Sequence, residues 1–462
     1  MIIKSTLKPI PYFLLFLFLL FSFIDSHAQS DSSHVKQTAK DSTTRGYMSE
    51  LFGSHRSKGK IDSSLIRHVA ISTDAKNNLT MDAIYDRPFF QAGKFPVTVG
   101  GYVEADWQHI GSDGISAGNQ FQFRRFSLFV AASITKRIKF LSEIEVEDDP
   151  SGDADAVGKG LVFGLEYAAI DIELHPLLNL RGGIVLTPLG GFNQNHDGPK
   201  WEFTDRPLAM SQLLPETFSA PGFGIYGKQY THDWMFGYEF YLTGGLNDSI
   251  IDNPQGHTYL PAALGDPNRF TSSASGYPCI TGKLSLKNKY LGELGLSYMG
   301  NIYNTWAEEG LVVDKKRWVH VADVNYNVTL PVLKTFFTTE WAMIFVDVPT
   351  TYTQQYGSKQ LGGFADFVQP VYRHKILGWN NATFNIAFRA EYVHYNIGHF
   401  PQTGGKIYDD IWSIMPGISF RPSAQTVIRV NYRYEKTRDI LGNPAIPFST
   451  TAGISVGIST YF

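Results

Sequence analysis

Cysteine is nearly absent. Cys279 stands alone in 462 residues, which excludes an internal disulfide and any multi-cysteine metal centre, and leaves it as a lone packing residue. Charge of one sign is missing too. Forty Lys and Arg face 43 Asp and Glu, so the basic footprint that nucleic-acid binding requires is not there. Beyond residue 28 no run of about eighteen apolar residues occurs, which excludes helical membrane spans. The catalytic signatures HExxH and GxSxG and a phosphate-binding glycine loop are also missing. The histidines (His109, His175, His320, His394, His399) are scattered, as interface or turn residues would be. No catalytic constellation, metal site or cofactor is implied.

What is present begins with an export signal. Lys4 and Lys8 precede an apolar stretch, Tyr12–Ile24, and Ser26-His27-Ala28 resembles a small-x-small cleavage site. The apolar stretch is too short to cross a bilayer, which takes about twenty residues. Residues 1–28 therefore read as a cleaved signal peptide. Residues 29–80 are polar and rich in Ser, Thr, Asp and Lys, and read as a largely disordered periplasmic lead-in, with a short helix near Gly46–Phe52. An exported chain of this length without helical spans is either soluble or a β-barrel, because barrels hide apolar residues in alternation.

The alternation is there. At the C-terminus Ile454, Val456, Ile458, Thr460 and Phe462 fall on one face, and Gly453, Ser455, Gly457, Ser459 and Tyr461 on the other. Period two with an apolar face and a small polar face suits a strand with lipid outside and water inside. A terminal Phe462 resembles the signal read by the outer-membrane barrel assembly machinery. Similar segments are Phe384–Tyr392, Thr426–Glu435 and Ile138–Glu147, whose polar faces carry Arg389, Glu391, Arg429, Arg433, Glu143 and Glu145. These charges, with Arg125 and Arg181, are the expected pore-lining residues, since Arg or Lys on the lipid face costs about 2–4 kcal/mol at the midplane. Tyr and Trp near strand ends (Trp107, Trp201, Trp234, Trp318, Trp412) fit aromatic belts.

The expected fold is all-β: a transmembrane antiparallel barrel over residues 81–462, with about sixteen strands. The gaps after odd strands are mostly long, as at 148–161, 189–221 and 246–276. Those after even strands are short, as at His175-Pro176 and Arg421-Pro422. The tract from Leu189 to Pro221 is the longest turn-rich one, and long loops in compact folds usually carry function. Folded inward it would narrow the pore with Asn193, Asn195, His196, Asp197, Lys200, Glu202, Asp205 and Arg206. The adjacent Arg124 and Arg125 cannot both face the lumen of a regular strand. Either one sits near an interface, or a bulge turns both inward, with Arg125 favoured in the lumen. The acidic run Glu147–Asp155 reads as a solvated loop, since its spacing does not match an EF-hand.

Gly101–Asp106, Phe123–Leu128 leading into Phe140–Glu147, Asn179–Pro188 and Pro221–Gly227 resemble the phosphate-selective porin family, porins O and P. That resemblance implies a sixteen-stranded outer-membrane barrel of a Gram-negative bacterium, in contact with lipid and lipopolysaccharide. It also implies a homotrimer, an inward-folded loop and passive diffusion of small polar or anionic solutes such as phosphate. The mixed charges of the inferred lumen favour a general channel. The competing expectation is a non-conducting barrel that serves as a scaffold or an adhesion or secretion component.

Overall fold

The computed structural model describes residues 79–90, 97–148, 161–266, 268–271, 275–304, 315–349, 356–400, 403–439 and 447–462. The expected signal peptide, nearly all of the lead-in with its short helix, and most of the acidic run lie outside these residues. Sixteen strands form the wall. They are β1 (Val97–Ser112), β2 (Ile115–Ser133), β3 (Ile138–Asp148), β4 (Leu161–His175), β5 (Leu178–Leu186), β6 (Ser219–Thr231), β7 (Trp234–Thr243) and β8 (Cys279–Asn288). Then follow β9 (Gly292–Ile302), β10 (Trp318–Thr329), β11 (Phe336–Val346), β12 (Lys359–Ile376), β13 (Trp379–His394), β14 (Asp410–Ser423), β15 (Thr426–Arg438) and β16 (Phe448–Tyr461).

Each strand pairs antiparallel with its sequence neighbours, and β1 pairs with β16, so the sheet is a closed barrel. At the seam Tyr102 lies opposite Tyr461, and the Phe462 amide donates to the Gly101 carbonyl at 2.9 Å. The Phe462 ring stacks on Phe126 at 5.6 Å. A side chain at Gly101 would meet both the Ser127 carbonyl and that ring, so the seam needs glycine there.

Burial follows the alternation. Outward residues such as Phe223, Leu284, Leu296, Ile386, Ile418 and Ile458 are exposed, while their sequence neighbours face in. A continuous apolar outer face is stable only in hydrocarbon, and closure leaves no backbone group unpaired there. Trp234, Trp318 and Trp412 sit at strand ends, as expected of a belt. Trp201 does not: it lies inside the barrel, in the loop between β5 and β6, because its ring packs against Phe192 and Phe364. One end of the barrel has short turns, such as 176–177, 232–233 and 424–425; the other carries most of the long connections. The first connection departs from that pattern. β1 and β2 run on to a two-residue turn at Asp113-Gly114, extended by paired Gln108–Gln120 and His109–Asn119 side chains.

Two bulges aim charge inward. Glu104 pairs with Arg125 but Ala105 pairs with Phe123, which leaves Arg124 as the extra residue and turns both arginines into the lumen. Likewise Glu143 pairs with Tyr167 but Ile144 with Leu165, leaving Glu166 extra.

The loop 187–218 folds into the barrel because part of the inner wall is apolar. Val319 and Val321 on β10, Ala342 and Ile344 on β11 and Phe364 on β12 are fully buried under Leu189, Phe192, Leu213 and Leu214. Each such Leu or Phe contributes about 1.5–3 kcal/mol by leaving water. Cys279 is buried in the same cluster. Residues 79–90 also lie inside, against β9, β6, β5 and β3, so the last residues of the expected lead-in are anchored in the lumen. The Thr80 amide donates to Glu293 at 2.9 Å, Lys228 pairs with Asp82, and Arg181 donates to the Tyr85 hydroxyl at 2.5 Å.

Candidate functional site: a constricted lumen

The folded-in loop divides the lumen. On the long-loop side lies a cavity of about 670 Å³, and on the short-turn side one of about 500 Å³. Phe192, Trp201 and Phe203 line both and form the floor between them. Phe192 and Trp201 are 4.9 Å apart, and the Arg389 guanidinium lies 4.2 Å over Phe203.

Hydrogen bonds fix the loop. The Gly191 and Phe192 amides donate to Glu340 at 2.8 and 2.7 Å, and the Leu208 amide to Glu391 at 2.8 Å. Gly190 adopts φ +73°, and a side chain there would strike the Glu340 carboxylate. Glycine is required twice over at that position. Asn193 clamps the stem: its Nδ2 donates to the Thr187 and Phe218 carbonyls at 2.7 and 3.0 Å, and its Oδ1 accepts from the Phe218 amide at 2.7 Å.

The other loop residues divide between the two sides. Asn195, Lys200 and Glu202 line the short-turn cavity, with Glu202 accepting from Arg421 at 2.6 Å. His196, Asp205 and Arg206 line the long-loop cavity. Asp205 pairs with Arg124 and, at 3.3 Å, with Arg433; Arg206 lies 3.4 Å from Glu216 and 3.7 Å from Glu145. Asp197 lines neither. It is fully buried under Arg87, which donates to it at 2.9 and 2.5 Å and to Glu143 at 2.9 Å. Burial pushes the Asp197 carboxyl up, but Arg87 and Lys200 outweigh it and hold it well below the usual range. Burial pushes Asp205 up as well, and Arg433 and Arg124 overcome that and lower it. His196 is held down to about 3 by burial and by Arg206, so its ring is neutral.

Of the wall residues expected to line the pore, Arg125, Arg429 and Arg433 border the long-loop cavity. Glu143, Glu145, Arg181, Arg389 and Glu391 face inward but border neither large cavity, because the loop and residues 79–90 cover them. Their charges are matched instead. Arg181 holds Asp171 at 2.7 and 2.9 Å, and Arg389 holds Asp366 at 2.7 Å through two nitrogens. Arg429, on the cavity side, is matched too, by Glu104. Sequence reasoning missed these partners, although Glu104, Asp171 and Asp366 fall on inward positions and could have been found from parity alone. It also missed Arg87, which joins residues 79–90, the loop and β3, and for which no local pattern exists. Some donors remain unused: Arg125 Nε, Arg433 Nε, and Arg206 Nε and Nη2 have no hydrogen-bond partner.

No known family's profile matches the chain. An uncharacterized protein of Aquifex aeolicus (strain VF5) is 31% identical over 150 residues, which is 32% of this chain and 32% of that protein's length. Among solved structures, the anion-selective porin from Comamonas acidovorans is 12% identical and aligns over 79% of this chain and 99% of its own, with a TM-score of 0.49. The outer-membrane channel DcaP of Acinetobacter baumannii is 12% identical over 79% of this chain and 97% of its own, also at 0.49. Salmonella typhi OmpF is 10% identical over 79% and 98%, at 0.49. Identities this low carry nothing about the solute.

Proposed function

We propose that this protein is a passive diffusion channel of a Gram-negative outer membrane, admitting small polar or anionic solutes past the Phe192–Trp201–Phe203 floor. The observation that carries this reading is the pair of cavities that approach that floor from the two ends of a closed barrel with an apolar exterior. The short-turn end faces the periplasm and the long loops face outward. The guanidinium groups of Arg125, Arg206 and Arg433 border the long-loop cavity and offer weak successive charge contacts to solute oxygens. Phosphate is one such solute. Because most inward arginines are already matched by carboxylates, the lumen favours general over phosphate-specific passage. The reading extends to a homotrimer in lipid and lipopolysaccharide, assembled through the Phe462 strand.

One observation favours the second reading, a non-conducting scaffold: the two cavities share only the aromatic floor, and residues 79–90 fill one side of the lumen. Swelling of liposomes that contain the purified barrel separates the two. Uptake of small neutral and anionic solutes, slowing with solute size, supports the channel. Liposomes that stay as tight as protein-free ones support the scaffold.

A further inference from the structure

Where the constriction loop meets β3, His196, Glu143 and Glu145 bring one ligand atom each within 4.8 Å of one another, and all three residues are buried. His196 Nδ1 lies 2.9 Å from the Asn193 carbonyl. A carbonyl only accepts, so Nδ1 carries the hydrogen and Nε2 presents a lone pair. His196 Nε2 has no hydrogen-bond partner, and neither has Glu145 Oε1. His196 is 1% exposed and Glu145 is fully buried. Two acceptors turned toward each other out of water need positive charge between them. Arg206 supplies part of it, since its Nη2 lies 3.7 Å from Glu145 Oε1, but it makes no hydrogen bond there and leaves both acceptor atoms unfilled.

We propose that His196, Glu145 and Glu143 form a binding site for a divalent transition-metal ion of the zinc type. One imidazole nitrogen with carboxylate oxygens suits zinc, whereas calcium and magnesium take oxygen alone. The surrounding bonds are those that orient metal ligands. The ring's other nitrogen donates to a backbone carbonyl, Tyr102 donates to Glu145 at 2.9 Å, and Ser127 and Arg87 donate to Glu143. Tetrahedral ligands stand roughly 3.4 Å apart around a zinc ion, so the three atoms, all within 4.8 Å of one another, close in by at most about 1.4 Å on binding. His196 borders the long-loop cavity, which gives the ion a route in. Bound there, zinc ties the loop to β3 and adds positive charge beside Arg206.

The site does not depend on the channel reading, and neither does its test. Full-length barrel in detergent, shown to be folded by its heat-modifiable gel mobility, is dialysed against micromolar zinc, and bound metal is counted by mass spectrometry. The expected result is one zinc per chain, with affinity lowered at least about tenfold in His196→Gln and in Glu145→Gln and unchanged in Glu147→Gln. Cobalt in place of zinc should give visible absorption bands that His196→Gln abolishes. Absence of retained zinc, or equal retention by His196→Gln, overturns the proposal. So does a loss in Glu145→Gln and Glu147→Gln with none in His196→Gln, which would move the metal to the Glu145, Glu147 and Glu166 group.

Discussion

The two cavities are lined differently. On the long-loop side five arginines (Arg124, Arg125, Arg206, Arg429, Arg433) face four carboxylates; on the short-turn side Lys200, Lys287 and Arg421 face five. The loop itself makes part of this difference. Across seven residues it sends Lys200 and Glu202 to one side and Asp205 and Arg206 to the other, with Trp201 and Phe203 between them. A lumen of near-balanced charge therefore becomes polarised along its axis, and a solute meets donors first and carboxylates second.

The comparison breaks most visibly if its divider is removed. Phe192→Ala with Trp201→Ala should merge the cavities and raise single-channel conductance several-fold; unchanged conductance would place the narrowing elsewhere. Next comes the anchor at the divide. Asp366 and Arg389 side chains are 2% and 0% exposed, so Asp366→Asn leaves a buried guanidinium without its counter-charge. The expected loss is about 3–5 kcal/mol in urea unfolding.

Polarity along the axis is sharpened by changing one side at a time. Replacing Arg125, Arg206 and Arg433 by Gln should move the reversal potential in a KCl gradient toward potassium. Glu202→Gln should move it the other way, by less.

The smallest effect lies at the outer mouth. Burial, then Asp439 and Asp410, push the Asp409 carboxyl up to about 7. Its folded pKa exceeds the unfolded value of about 4, so the fold holds the extra proton and stability falls as pH rises from about 4 to about 7. His257, whose Nδ1 is 3.5 Å away, is held down to about 4 by burial and acts in the opposite sense. Asp409→Asn should remove the first contribution from thermal unfolding followed across that range. It keeps a residue that tolerates the φ of +99° at this position.

The wall was legible because its signal is local. Ile454, Ile458 and Phe462 face out and Ser455, Ser459 and Tyr461 face in, and lipid against lumen imposes that parity on each strand separately. The inward turn of both Arg124 and Arg125 was legible only as an alternative, because a bulge is decided by the partner strand. The loop's inward fold was suggested by its length and by the family resemblance. Its cause was not legible, since the apolar inner patch of Val319, Val321, Ala342 and Ile344 arises from three-dimensional assembly. Trp201 was misplaced in a belt because a tryptophan in a loop carries no parity. Arg87 left no trace in the sequence, since its partners lie 56 and 110 residues away.

The most direct test of the central claim is single-channel recording of the purified barrel in planar bilayers under a KCl gradient, with phosphate then added. Ohmic steps with weak ion selectivity, and little block by phosphate, are the result expected of a general channel with a matched-charge lumen. A folded barrel that inserts and never conducts would contradict the account and leave the scaffold in its place.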